Sequence, residues 1–142
     1  MAIKRRSIVH IDKDDFKFCQ KLIKNNGYFK NNIHLFTLAT LVGKYVVNES
    51  KKIPKGKSKD FFRVQDNIND DNMIVLKCFA ISSSKDVSIL NNEDDLFSYC
   101  EKYANSGIKE IKNWEKLDFN TELSEVLMKF WNEIDFDLLE TL

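Results

Sequence analysis

Proline and glycine are scarce in this chain, at 1 and 4 of 142 residues. That argues against an all-β sandwich, whose many tight turns draw on both residue types. Histidine is almost missing too. His10 and His34 sit on different predicted elements, so no pair stands at the i, i+3 or i+4 spacing of a helical metal site. Three cysteines, Cys19, Cys78 and Cys100, are odd in number, far apart and without a CxxC pair. They read as reduced, buried thiols, and the expected location is the cytoplasm. No apolar run approaches the ~18 residues of a membrane span. Lys4, Arg5 and Arg6 are followed by Asp12, Asp14 and Asp15 rather than an apolar stretch, so no secretory signal is expected.

Chemistry is thin as well. The glycines stand alone at Gly27, Gly43, Gly56 and Gly107, forming neither a GxxxxGK[ST] loop nor a GxGxxG turn. Asp70-Asp71 and Glu93-Asp94-Asp95 look like first turns of helices, where negative charge is favoured, rather than Mg²⁺ ligands. Nothing supports a nucleophile with its base. The sequence reads as non-enzymatic, with no cofactor and no metal.

What the chain does have is a globular composition, 43% hydrophobic and 31% charged, and a length suited to one domain, 1–142. Its zero net charge hides a division. Residues 1–63 carry 15 Lys and Arg against 5 Asp and Glu, whereas residues 64–142 carry 7 against 17. The halves are thus +10 and −10. Either they attract each other within the fold, or the basic half meets a polyanion.

The pattern predicts a mainly α fold, a short N-terminal strand followed by about five helices. Ser7–Ile11 is strand-like, and Asp12 is a cap candidate for a helix over about 13–25, with Phe16, Cys19, Leu22 and Ile23 at helical spacing. Asn25-Asn26-Gly27 ends it. Asn31 or Asn32 caps a second helix to about Val47 that is apolar almost all round, which marks a central helix or one shared with a second chain. Residues 48–60, with five lysines and the only proline, form a flexible Lys-rich loop between a basic half, 1–47, and an acidic helical half, 61–142. Phe61–Val64 returns to the core as an extended segment. A third helix opens at Asn69–Asp71 and breaks at Ser82-Ser83-Ser84. A fourth starts after Asn91-Asn92, with a break or kink expected at Asn105-Ser106-Gly107. Thr121 caps a fifth, whose stripe is Leu123, Val126, Leu127, Phe130, Trp131 and Ile134.

Strand, capped helix, glycine turn and apolar second helix also outline a ribbon-helix-helix half. In that fold two chains pair their strands into a ribbon in the DNA major groove, which predicts a homodimer. The match is imperfect, because neither face of the strand is fully polar, and the strand is equally suited to pairing inside its own chain. Phosphate contact would fall to Lys4, Arg5, Arg6, Lys30, Asn31, Asn32, Lys51, Lys52, Lys55, Lys57 and Lys59.

Three stretches, Val9-His10-Ile11-Asp12-Lys13, Gly27-Tyr28-Phe29-Lys30 and Tyr103-Ala104-Asn105-Ser106-Gly107-Ile108, together resemble a family. It is the Dnd system-associated protein 4 group, small accessory proteins encoded beside bacterial DNA phosphorothioation systems. The likeness runs over about 8–115, leaving out the lysine loop and the tail after Trp114. It implies a role near DNA or a DNA-acting complex in modification and antiphage defence, and it carries no catalytic residues. Two functions follow as expectations. One is a DNA-binding accessory protein. The other is an interaction subunit that docks Leu123, Leu127, Phe130 and Trp131 on a larger ATPase or nuclease.

Overall fold

The computed structural model describes residues 5–25, 27, 29–116 and 119–133, with side chains at 116, 119, 120 and 129–133 left aside. Of the residues singled out above, Lys4, Asn26, Tyr28, Ile134 and the side chains of Phe130 and Trp131 lie outside what is described.

The chain is mainly helical, as its patterning predicts. Strand β1 (Ile8–Asp12) alternates so that Val9 and Ile11 are buried. It pairs antiparallel with β2 (Ser58–Arg63), so the last three residues of the expected loop are strand. Val9 faces Phe62 and His10 faces Asp60, leaving Phe61 as the extra residue of a bulge. The bulge breaks the alternation and lets both Phe61 and Phe62 point into the core.

After β1, Asp12 accepts the Asp14 N–H at 2.9 Å and caps a 3₁₀ turn, Lys13–Asp15. Helix α1 (Phe16–Gln20) follows and widens into a π turn, Lys21–Asn25, with Cys19 and Leu22 buried. Asn31 caps α2 (Asn32–Val42) by accepting the His34 N–H at 3.0 Å. This helix buries Ile33, Leu35, Phe36, Thr37, Ala39, Thr40 and Val42. The Thr37 and Thr40 hydroxyls donate to the carbonyls of Ile33 and Phe36, both at 2.8 Å, so their burial leaves no polar group wanting. The near-complete apolarity of α2 is thus met within one chain.

Asp70 caps α3 (Asp71–Ser84), which buries Met73, Leu76, Phe79 and Ala80 but, contrary to expectation, turns Cys78 outward, so only Cys19 and Cys100 are buried thiols. A 3₁₀ turn, Val87–Asn91, leads to α4 (Glu93–Lys116), and α5 (Phe119–Glu133) follows. The chain forms two compact units, 1–110 and 111–142, with the boundary inside α4.

The strand expected to enter a two-chain ribbon is occupied on both edges. One edge is β2. Along the other, the Arg6 N–H donates to Glu93 at 2.9 Å and the His10 N–H to Glu101 at 2.7 Å. Carboxylates of α4 therefore take two of the donors that a second strand would need.

Gly107 does not interrupt α4, contrary to its poor helix propensity. A Cβ there would run into the carbonyl of Ala39, and one at Gly43 into the carbonyl of Tyr103. The two glycines let the end of α2 and the middle of α4 touch backbone to backbone, which offsets the roughly 1 kcal/mol that glycine costs in a helix. Gly107→Ala should therefore destabilise, by about 3 kcal/mol or more, although alanine is the better helix former. Urea unfolding checks this, and a neutral or stabilised variant would contradict the close approach.

Candidate nucleic-acid interface

The residues proposed for phosphate contact fall into three groups in the folded chain. The first belongs to an internal ion-pair lock. One terminal nitrogen of Arg6 lies 2.8 Å from both oxygens of Glu101, another donates to Ser98 at 3.4 Å, and its Nε stands 3.8 Å from Asp94. The Arg6 side chain is only 15% exposed and that of Glu101 10%. His10 lies alongside, with Nδ1 3.1 Å from the same Arg6 nitrogen and Nε2 3.3 Å from Asp60. Arg5, far more exposed, reaches Glu93 at 3.2 Å. Beside this lock is an open cleft of about 510 Å³ lined among others by Lys52, Ser98, Tyr99 and Lys102. It holds His10 near carboxylates, but both imidazole nitrogens and Glu101 are already engaged with neighbours.

The second group surrounds the start of α2. Asn32 donates to the Phe61 carbonyl at 2.6 Å and accepts from Gln20 at 3.4 Å, while Asn31 is the cap. The Lys30 N–H donates to His34 Nδ1 at 3.2 Å. Asp70 and Asp71 line the same hollow. The Asp70 carboxyl is held below the usual carboxylate range, chiefly by the N–H and side chain of Asn72. An ionised carboxylate at this helix start makes it a poor phosphate cradle.

The third group is the lysine segment, which is stapled at both ends. The Lys51 N–H donates to the Lys102 carbonyl and its own carbonyl accepts from Asn105, each at 2.8 Å. The Lys57 carbonyl accepts from the Lys13 N–H at 2.8 Å. Between them Lys52 and Lys55 stay exposed, with Gly56 in a left-handed turn (φ 81°). Lys57 donates to Asp14 at 2.7 Å, a bond that lowers the pKa of Asp14 and raises that of Lys57. Lys59 lies 4.9 Å above the ring of Phe16.

That last contact leads to residues the sequence reading passed over. Lys13, Lys17, Lys21 and Lys24 follow at spacings of four, four and three, and all are exposed. Phe16, Lys17, Gln20, Lys21 and Lys24 line one shallow hollow, and Phe16 joins it to Lys59. A continuous basic surface with an aromatic ring in it thus runs from β2 along α1. The helical spacing of the lysines carries this signal, interleaved with the apolar stripe of the same segment. Of the acids in this region, Asp14 and Asp60 are exposed, Asp14 bound to Lys57 and Asp60 beside His10. Asp12 and Asp15 are buried, and Lys109 reaches them at 3.4 and 2.8 Å. Burial opposes the charge of Lys109, yet the Asp15 and Asp12 contacts outweigh it and raise its pKa. Among the described residues no cluster of His, Cys, Asp and Glu is arranged to hold a metal ion, and no helix is long and apolar enough to cross a membrane.

A family model for DNA sulphur modification system-associated protein 4 matches residues 8–138. The chain belongs to that family. The match takes in both the lysine segment and most of the tail, so this associated protein of DNA sulphur modification extends its family pattern through α5. No curated protein and no solved structure matches it.

In this DNA sulphur modification-associated protein, Arg6→Gln should cost about 3 kcal/mol by leaving Glu101 buried and uncompensated. The double variant with Glu101→Gln should recover most of that loss. Denaturant unfolding of the four proteins checks it, and additive losses would mean that the two groups are not coupled.

Proposed function

We propose that this protein is a non-enzymatic accessory component of a DNA sulphur modification system that contacts the DNA backbone through the lysine surface of residues 13–24. The observation that carries the reading is the exposed row Lys13, Lys17, Lys21 and Lys24, continued by Lys59 over Phe16. Lysines that neutralise phosphates release condensed counterions, so affinity should fall steeply with salt. Within this reading Lys52 and Lys55 extend the contact, whereas Arg6, Asn31 and Asn32 serve the fold.

Lys17, Lys24 and Lys59 changed together to Gln should weaken duplex binding on any sequence and flatten the plot of log affinity against log salt by about 2–3 units. Lys30→Gln, beside Asp70, should change little. Fluorescence anisotropy over a salt series measures both, and wild-type protein that fails to bind duplex at low salt would overturn the proposal.

A second reading rests on α5, where Leu127 and Met128 are 51% and 59% exposed while Val126 is buried and Leu123 half-buried. A helix with apolar side chains left in water suits docking on a larger ATPase or nuclease of the same system. Leu127→Glu with Met128→Glu should leave the circular dichroism spectrum and DNA binding unchanged but abolish co-purification with that component. Retained co-purification would rule α5 out.

A further inference from the structure

The outer face of α3 is apolar where a surface helix is ordinarily polar. The inner face, Met73, Leu76, Phe79 and Ala80, is buried. At 100° per residue, Asp71, Ile74, Val75, Cys78, Ile81, Ser82 and Lys85 all fall within about 60° of Cys78 on the opposite side. Ile74 is 63% and Val75 41% exposed, Cys78 is an exposed free thiol, and Ile81 is half-buried. Single exposed apolar residues need no explanation, but a contiguous stripe along one helix does.

The ends of the stripe say what covers it. Asp71 stands at one end and Lys85 at the other, both exposed, and each is seven residues from Cys78. If a second copy of the helix is laid against the first in antiparallel sense about a two-fold axis at Cys78, residue i meets residue 156 − i. Asp71 then faces Lys85 of the other copy, twice. Val75 faces Ile81, Ile74 faces Ser82, and Cys78 faces itself. Ile68 and Val87, exposed beyond the two ends of the helix, are brought to the same ends of the pair. A parallel arrangement would set Asp71 against Asp71 and Lys85 against Lys85. The charge pattern is therefore self-complementary in one orientation only, as an isologous two-fold interface requires.

We propose that two copies of this protein associate through α3, antiparallel, with the two-fold axis at Cys78. This does not depend on DNA contact, and it differs from the strand ribbon and from a core shared through α2, both of which the fold satisfies within one chain. A single helix pair is at the small end of specific interfaces, so the association is concentration-dependent.

Sedimentation of the full-length protein at concentrations up to about 0.5 mM should show the mass rising toward twice that of one chain. Mild oxidation or a short thiol cross-linker should trap a dimer through Cys78, the trapping being lost in Cys78→Ser and kept when buried Cys19 and Cys100 are replaced by Ala. Ile74→Glu should hold the protein at single-chain mass with an unchanged circular dichroism spectrum. Asp71→Lys should weaken association at least tenfold, and adding Lys85→Asp should restore it, which a general loss of helix stability would not allow. A single-chain mass at every concentration overturns the proposal. So does a dimer that Cys78 does not cross-link, or one indifferent to Ile74→Glu.

Discussion

The carboxylate of Glu101 is where the two oppositely charged halves of this chain meet. It receives Arg6 on both oxygens and the His10 N–H on one, while Glu93 takes the Arg6 N–H one helical stretch earlier. An acidic group this buried is tolerable only when paired and hydrogen-bonded. Once paired, it fixes the first strand against α4, with the His10 N–H on the strand's outer edge taken up. The remaining contacts follow from that seat. With β1 held there, β2 closes the other edge, and Asp12 and Asp15 come within reach of Lys109.

This lock uses part of the charge division for folding, while other basic side chains of the same half stay exposed. Arg6 of the basic half neutralises Glu101 of the acidic half, which is the internal attraction that a +10 half and a −10 half invite. Lys109 runs the other way, a base of the acidic half set against Asp12 and Asp15. Lys13, Lys17, Lys21 and Lys24 are exposed while Cys19 and Leu22 of the same segment are buried, and no carboxylate is set between these lysines in sequence after Asp15. Internal pairing and a basic outer surface are thus not alternatives here. They use different side chains of the same segment.

Much of the backbone was legible from residue patterns. The caps at Asp12, Asn31, Asp70 and Asn92 each carry a short oxygen-bearing side chain that bonds an N–H two or three residues on, a local event that sequence displays. Long-range pairing was not displayed. Nothing local tells Arg6 that Glu101 lies 95 residues on, or Lys51 that its carbonyl will meet Asn105. Gly107 shows the same gap. Its cost as a helix residue is local and predicts a break, while its benefit is an approach to Ala39 that only the tertiary structure reveals. Asn31 and Asn32 were correctly placed at a helix start, yet the approach of Asp70 changes what that start attracts. For the candidate surface, the lysine row was readable by period alone, whereas its junction to Lys59 through Phe16 needed the strand register.

The kind of cation on the surface also bears on what sort of DNA contact the proposed reading allows. The chain contains only three arginines, Arg5, Arg6 and Arg63, and each lies against a carboxylate of its own chain, Glu93, Glu101 and Asp66. Arginine is the residue that reads guanine edges by a two-pronged bond, and its planar fork is what lysine lacks. A lysine surface supplies point charges on flexible stems, suited to phosphate oxygens that look alike at every step of the duplex. On the proposed reading, then, this family member adds affinity for the backbone without choosing the sequence. Any selectivity would have to come from another component of the modification system, which is the division of labour expected of an accessory protein.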